Sequence, residues 1–374
     1  MPAKTPSANP DEHYIREALQ LAQAMLGRTA PNPSVGCVIV RDRRIIGRGA
    51  TAAGGRPHAE TQALAQAGHR ARGATAYVSF EPCAHHGQTP PCAQALIDAE
   101  VARVVIGCGD PFPKVRGRGI AMLKRAGIDV TVGVLEAESR TLNEGFIKRI
   151  ITGRPFVTLK LAMTLDGRIA ASSGDSRWIS SEASRAMVHR WRNESDVVMV
   201  GAGTVIADNP RFTCRMECGR DPVRLVIDPN LRSDPSARIF RQRSIAPTLV
   251  ATSTDKTKAA QSRFGRRVEV LGVPKNDTGI DLDALMRQLA ARGWSKVLHE
   301  GGAHLAGAAL KAGIVDRVAF FIAPKLLGGG LSAIEGLVAP TMRSAIPLNN
   351  LAAQKVDTDW LIEAEVHPNK RRPR

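Results

Sequence analysis

His58-Ala59-Glu60, followed by Glu81-Pro82-Cys83 and then by Pro90-Pro91-Cys92, is the stretch on which the reading of this chain turns. One imidazole and two thiols are donors that zinc accepts, and a carboxylate two residues from the histidine is placed to move a proton beside such an ion. In zinc-dependent base deaminases a His and two Cys hold the metal, while a Glu that is not a ligand acts as acid and base. Here the cysteines are separated by eight residues, where the common pattern has two. Zinc is indifferent to sequence spacing provided its donors reach a tetrahedron, and Gly87, Pro90 and Pro91 allow the loop to fold back. His85 and His86 in that loop are rival ligands, ranked below the set His58, Cys83 and Cys92. The competing reading is a structural zinc with four protein ligands. Glu60 argues against it, because three ligands leave a position for water and a nearby carboxylate suits proton transfer.

Around this stretch, apolar residues at helical spacing predict a helix over residues 13–26, stopped by Gly27 and by Pro31-Asn32-Pro33. Residues 35–40 and 44–49 read as strands joined by the turn Arg41-Asp42-Arg43. A helix over 59–67 would carry Glu60 in its first turn, just after His58. The strand at 74–80, the loop at 82–91 and the helix at 92–99 then place Cys83 and Cys92 at a strand-to-helix junction. A strand at 102–107, a helix at 115–126, a strand at 128–134 and a helix at 136–150 complete an alternation that means a sheet between helices.

The chain has 374 residues, which suits two domains, and its 43% hydrophobic share is that of a globular protein. No apolar run reaches the length of a membrane span and residues 1–10 lack the apolar core of a secretory signal, so a cytoplasmic protein is expected. Six cysteines are too few for a disulfide framework; Cys214 and Cys218 read as free thiols. The net charge is +17, of which +6 falls on residues 1–150 and +11 on 151–374. Such a balance fits nucleic acid or phosphorylated small molecules. With aromatic residues at 4% there is little material for stacking bases, and the basic run Lys370-Arg371-Arg372-Pro373-Arg374 reads as a solvated tail. The expectation is a phosphate-bearing small molecule, with no nucleic acid and no membrane partner. The oligomeric state is left open, a homo-oligomer included.

A short connector with breaker residues, Ile150-Ile151-Thr152-Gly153-Arg154-Pro155, sets a boundary near residue 150, giving domains 1–150 and 151–374. A strand at 155–163 opens the second half and a helix at 181–193, capped by Ser180 or Ser181, follows. The strand at 196–200 runs into Gly201-Ala202-Gly203-Thr204, which lacks the third glycine of a dinucleotide fingerprint, Ile206 standing in its place. The strand at 296–298, Glu300-Gly301-Gly302 and a helix from 303 to 312 form an anion cradle, since backbone N–H groups and the helix dipole face the turn.

Pro31-Asn32-Pro33-Ser34-Val35-Gly36, His58-Ala59-Glu60 and the run from Glu81 to Cys92 resemble the deaminase half of the bifunctional riboflavin-pathway deaminase-reductases, in which the eight-residue gap recurs. The resemblance implies a cytidine-deaminase-like α/β/α sandwich, zinc on His58, Cys83 and Cys92, Glu60 as the catalytic residue, and Asn32 holding a pyrimidine. Leu159-Lys160-Leu161-Ala162, Leu165-Asp166-Gly167-Arg168, Trp178-Ile179-Ser180, Thr204 to Pro210, His299-Glu300-Gly301-Gly302 and Ala323 to Gly328 resemble the reductase half of the same family. That half implies a dihydrofolate-reductase-like α/β domain using NADPH. By the same resemblance Ala162, Trp178, Thr204, Asp208 and the run Gly302, Ala303, His304, Leu305, Ala306, Gly307 and Ala308 contact cofactor. Ser176, Arg192, Phe212, Arg215 and Glu300 contact substrate, and Arg192 and Arg215 have the fork geometry a ribose phosphate accepts. The expected chemistry is hydrolytic deamination of a diaminopyrimidinone ribosylamino phosphate, then reduction of its ribosyl chain. The alternatives are a tRNA or nucleoside deaminase with a fused accessory domain, and a nucleic-acid-binding protein with a structural zinc.

Overall fold

A computed structural model of the chain describes residues 9–85, 90–112, 115–276 and 279–366. His86, most of the loop before Pro90 and the basic tail lie outside these residues. The chain divides into two compact units, Met1–Gly153 and Arg154–Arg374.

The first unit runs in the order α1 (Pro10–Gln23), β1 (Gly36–Arg41), β2 (Arg44–Ala50), α2 (Ala59–Ala67), β3 (Thr75–Phe80), α3 (Cys92–Asp98), β4 (Arg103–Cys108), α4 (Arg118–Arg125), β5 (Asp129–Val132), α5 (Glu136–Leu142) and α6 (Glu144–Thr152). Its five strands are ordered β2-β1-β3-β4-β5, antiparallel across β2-β1-β3 and parallel across β3-β4-β5. Alternate residues of the strands feed two cores. Cys37, Ile39, Val78 and Ile106 pack with Ala63 of α2, Leu96 of α3 and Leu123 of α4, whereas Val38, Val40, Tyr77 and Val105 pack with Ile15 and Leu19 of α1. The period of two sends successive side chains to opposite faces, which is why both faces need helices.

One expected helix, over 136–150, is broken in two at Asn143. That side chain is almost wholly buried: its Oδ1 accepts from Ser34 N at 2.9 Å and its Nδ2 donates to Ser34 O at 3.0 Å. Asn is a weak helix former, and here tertiary hydrogen bonds to a residue 109 positions away prevail over continuation of the helix.

The second unit runs β6 (Phe156–Thr164), β7 (Arg168–Ala170), α7 (Glu182–Glu194), β8 (Val197–Gly201), α8 (Ala202–Asp208), β9 (Val223–Ile227), α9 (Arg238–Arg241), β10 (Thr248–Ser253), α10 (Thr257–Phe264), β11 (Val268–Val273), β12 (Lys275–Asn276), β13 (Gly279–Ile280), α11 (Leu282–Ala291), β14 (Lys296–Glu300), α12 (Ala303–Lys311), β15 (Arg317–Ala323), β16 (Leu331–Ser332), β17 (Leu348–Val356) and β18 (Asp359–Val366). Nine of these strands form one sheet in the order β11-β10-β9-β8-β14-β6-β15-β18-β17, parallel from β11 to β15 and closed by two antiparallel strands. Leu285 and Leu289 of α11 and Leu305 and Ala309 of α12 cover one face against Leu159, Met199 and Leu225, and Phe240 and Phe264 cover the other against Val198, Val226 and Val250. From β6 the chain winds outward through β8 to β11 and returns to insert β14 beside β6. A reversal of this kind leaves a crevice at the carboxyl ends of the strands, where open α/β sheets bind ligands.

Candidate active sites

The first site is assembled by two helix starts. His58 is the N-cap of α2, so Glu60 falls in its first turn, and Cys92 opens α3. Cys83 follows β3 and its sulfur accepts from Cys92 N at 3.2 Å, so a thiolate sits at the positive end of α3. His58 Nδ1 lies 3.2 Å from Cys92 Sγ and 3.8 Å from Cys83 Sγ, and the three donor atoms are all within 4.8 Å of one another. A zinc tetrahedron with ordinary Zn–N and Zn–S bonds has edges of about 3.6–3.8 Å, so the donor set fits the ion.

The electrostatics of the residues also fit a cation. A hydrogen bond from Cys92 pulls the Cys83 thiol down to about 4, while Cys92 is pushed far up by that same bond and by burial. Burial, reinforced by the Cys83 charge, raises Glu60 to about 7. Cys83 is thus a ready-made thiolate donor, while Cys92 holds a proton that a bound dication would displace. His85, the rival ligand among the described residues, is outside the cluster: its ring lies edge-on to Phe112 at 6.2 Å. Glu81, from the same motif, accepts from Asp110 N at 3.1 Å and Gly117 N at 3.0 Å, and so braces the loop beyond β4. Asn32 Nδ2 donates to Gly55 O at 2.8 Å, leaving its carbonyl oxygen as the open polar atom.

The second site is a cavity of about 1620 Å³ at the carboxyl ends of β6, β8, β9 and β14. Gly201, Gly203, Thr204, Gly301 and Gly302 line its middle. Gly301 and Gly302 have φ of +90° and +91°, a conformation that side chains rarely adopt, and a Cβ on Gly302 would stand 3.1 Å from Thr204 Oγ1. Two glycine turns therefore approach each other closely, and the N-terminus of α12 faces the space between them.

Of the expected cofactor residues, Ala162, Thr204, Asp208, Gly302, Ala303, His304, Leu305 and Ala308 line this cavity. Ala306 and Gly307 depart from the expectation. Ala306 is fully buried with its N–H bonded to Gly302 O, and a Cβ on Gly307 would stand 1.8 Å from Glu335 O, so both face the interior. Trp178 is 63% exposed, stacks under Arg185 at 4.4 Å and is not in the cavity lining.

Among the expected substrate residues, Ser176 and Glu300 line the cavity and Arg215 is exposed. Arg192 is not free to grip a phosphate. Its Nε and Nη2 donate to Glu300 Oε1 and Oε2 at 2.5 and 2.8 Å, and its Nη1 donates to Thr213 O at 3.1 Å. Phe212 is 8% exposed and lies 5.2 Å beneath the Arg192 guanidinium, a packing role. Burial pushes Glu300 up, and the Arg192 and Lys160 charges outweigh it, so its carboxyl is held below the usual range.

Lys160 is the polar residue of this site that pattern reasoning passes over. It lines the cavity near Glu300, and burial lowers its ammonium against the pull of that carboxylate. A lysine within the alternating apolar strand Phe156–Thr164 is the signal that marks it.

A zinc-type deaminase unit followed by a reductase-type α/β unit defines a two-domain deaminase-reductase. Residues 8–108 match the cytidine and deoxycytidylate deaminase zinc-binding region, and residues 155–362 match the RibD C-terminal domain. The riboflavin biosynthesis protein RibD of Escherichia coli K12 is 44% identical over 343 residues, covering 87% of this chain and 92% of that protein. RibD of Aquifex aeolicus is 43% identical over 94% of this chain and 97% of that one. The crystal structure of a diaminohydroxyphosphoribosylaminopyrimidine deaminase/5-amino-6-(5-phosphoribosylamino)uracil reductase from Thermotoga maritima superposes with a TM-score of 0.86 at 37% identity, covering 96% of this chain and 99% of that one. The chain belongs to the RibD family of riboflavin biosynthesis.

Proposed function

We infer that this chain catalyses two consecutive steps. The first is hydrolytic deamination of 2,5-diamino-6-(5-phosphoribosylamino)pyrimidin-4-one, and the second is NADPH-dependent reduction of the ribosyl side chain of 5-amino-6-(5-phosphoribosylamino)uracil to ribityl. The observation that carries the first step is the convergence of His58, Cys83 and Cys92 with the buried Glu60 beside them.

His58, Cys83 and Cys92 would hold a zinc ion that, when bound, would supply an acidified water. Glu60, raised to about 7 chiefly by burial, takes the proton of that nucleophile and returns it to the leaving amine, a task that needs a group titrating near neutrality. Asn32, with its amide nitrogen fixed on Gly55 O, offers its carbonyl oxygen to a pyrimidine N–H. In the second unit NADPH supplies the hydride. Gly301, Gly302 and the start of α12 would hold its phosphates through backbone N–H groups, with Thr204 of α8 beside them in the lining. Glu300, oriented by Arg192, and Lys160 supply the polar end of the cleft where the ribosyl carbon is reduced. Exposed Arg215 is the group available to the substrate phosphate.

The nucleoside or tRNA deaminase alternative is not favoured, because the second unit carries a cleft with paired glycine turns. No helix among the described residues is long and apolar enough to cross a membrane, and a cytoplasmic location goes with this reading. The edge strand β17 is exposed at every residue but Val356, with Leu348 and Leu351 on it and Trp360 beside it on β18. An unpaired edge with apolar side chains is a pairing surface, and we read it as the contact of a homo-oligomer. Sedimentation of the purified chain at micromolar concentration tests this; a monomer would remove it. The function itself is tested by supplying the diaminopyrimidinone phosphate with and without NADPH. The aminouracil accumulates without NADPH and the ribityl product forms with it; turnover indifferent to NADPH would sink the second step.

A further inference from the structure

We propose that Arg232 selects the phosphorylated form of the nicotinamide cofactor by receiving the phosphate on the adenosine ribose. The inference rests on the NADPH reading and adds the residue that discriminates it from NADH.

Strands β8 and β9 are parallel neighbours, with Gly201 in register with Ile227, so both end at the same level of the cavity. The glycine turn after β8 and the loop after β9 thus lie side by side, and Gly201, Gly203, Pro229, Asn230 and Arg232 all line the cavity. In dinucleotide sites built at strand ends, an acidic residue at the end of the second strand accepts the ribose 2′-hydroxyl of NAD, while a nearby arginine accommodates the 2′-phosphate of NADP. The acidic residue here is Asp228, directly after β9. Its side chain is fully buried and both oxygens are engaged by its own loop: Oδ1 accepts from Arg232 N at 2.9 Å and Oδ2 from Ser233 N at 2.8 Å. Asp228 therefore offers no carboxylate oxygen to a ribose diol.

The same two bonds fix the backbone of Arg232 while its side chain stands exposed at the cavity. The other cations around the loop are occupied. Lys256 Nζ donates to Pro229 O at 3.1 Å and Asn230 Oδ1 at 3.2 Å, and Arg263 Nη2 donates to Ser233 O at 3.1 Å. Arg154, elsewhere in the lining, is paired with Asp283 at 2.6 Å. The Arg232 guanidinium has no hydrogen-bond or ion-pair partner among the described residues. A fork of five donors beside an inward-turned carboxylate favours a dianionic phosphate over a hydroxyl pair.

The test is equilibrium binding, which needs no turnover. NADPH, NADH, 2′,5′-ADP and 5′-AMP are titrated by calorimetry into the parent chain, Arg232→Ala, Arg232→Lys and, as a control, Lys311→Ala, the last removing another exposed basic residue of the lining. Arg232→Ala should weaken NADPH and 2′,5′-ADP by about tenfold or more and leave NADH and 5′-AMP within about twofold, with Arg232→Lys recovering part of the loss. Lys311→Ala should leave the NADPH to NADH ratio unchanged. Equal weakening of phosphorylated and unphosphorylated nucleotides, no weakening at all, or loss of the ratio in Lys311→Ala instead would overturn the assignment. Binding of neither nucleotide by the folded parent is a different result: it would remove the NADPH reading itself, and the role of Arg232 with it.

Discussion

Glu60 and His299 are both buried ionisable residues next to a site, and their surroundings fit them to opposite tasks. Glu60 stands beside the zinc donors and titrates near neutrality, so it exchanges a proton. His299, on β14, is fully buried, and burial pushes it down to about 4, outweighing the opposing pull of the Gly301 backbone and the Glu300 charge. Its neutral ring is a packing element. The unfolded chain, with an ordinary histidine near 6.5, binds a proton that the folded chain refuses, so stability is full above that value and falls as pH drops towards 4. Between pH 7.5 and pH 5 this residue should remove about 2 kcal/mol from the second unit, and His299→Leu should flatten that part of the slope, as read by urea unfolding at the two pH values. The donor types of the zinc site are legible in the sequence because chemistry restricts them: zinc takes imidazole and thiolate, and a nearby Glu has few other reasons to be buried. The engagement of Arg192 by Glu300 is not legible, since the two are 108 residues apart and an arginine expected to hold phosphate looks the same in sequence as one that orients a carboxylate.

Elements next to the metal donors follow their local patterns. The helix expected over 59–67 forms as Ala59–Ala67, and α3 begins at Cys92, because breaker residues precede both and each needs no distant partner to start. The split between α5 and α6 is different, since it depends on Ser34. Asn143→Ala removes both bonds to Ser34, leaves its N–H and C=O without partners and should cost about 1–3 kcal/mol, measured as a lowered denaturation midpoint of the first unit. The turn between β14 and α12 makes the corresponding prediction for ligand binding. Gly302→Ala forces a Cβ into φ of +91° beside Thr204, so NADPH should bind about tenfold or more weakly in a calorimetric titration while zinc content stays at the parental level. The paired glycines were readable as an anion cradle. Their approach to the Gly201–Thr204 turn was not, because it depends on β14 inserting beside β8 after β9, β10 and β11 have been laid down.

The chain carries its two chemistries on two compact units, and this separation fixes what should be lost together and what should not. Removing zinc with a chelator should abolish ammonia release and leave reduction of supplied aminouracil intact; metal return should restore the first activity. The family motifs made both units recognisable, whereas the sheet order of the second had no counterpart in spacing or composition. The most direct measurement compares the parent with Glu60→Gln, recording bound zinc, ammonia release and NADPH oxidation in parallel. The parent should release one ammonia per NADPH oxidised on the diaminopyrimidinone phosphate. Glu60→Gln should retain its zinc, lose deamination by roughly 10²-fold or more, fail to oxidise NADPH on that substrate, and still oxidise NADPH when given the aminouracil. A Glu60→Gln chain that deaminates at the parental rate, or that reduces the diaminopyrimidinone without releasing ammonia, would contradict the account.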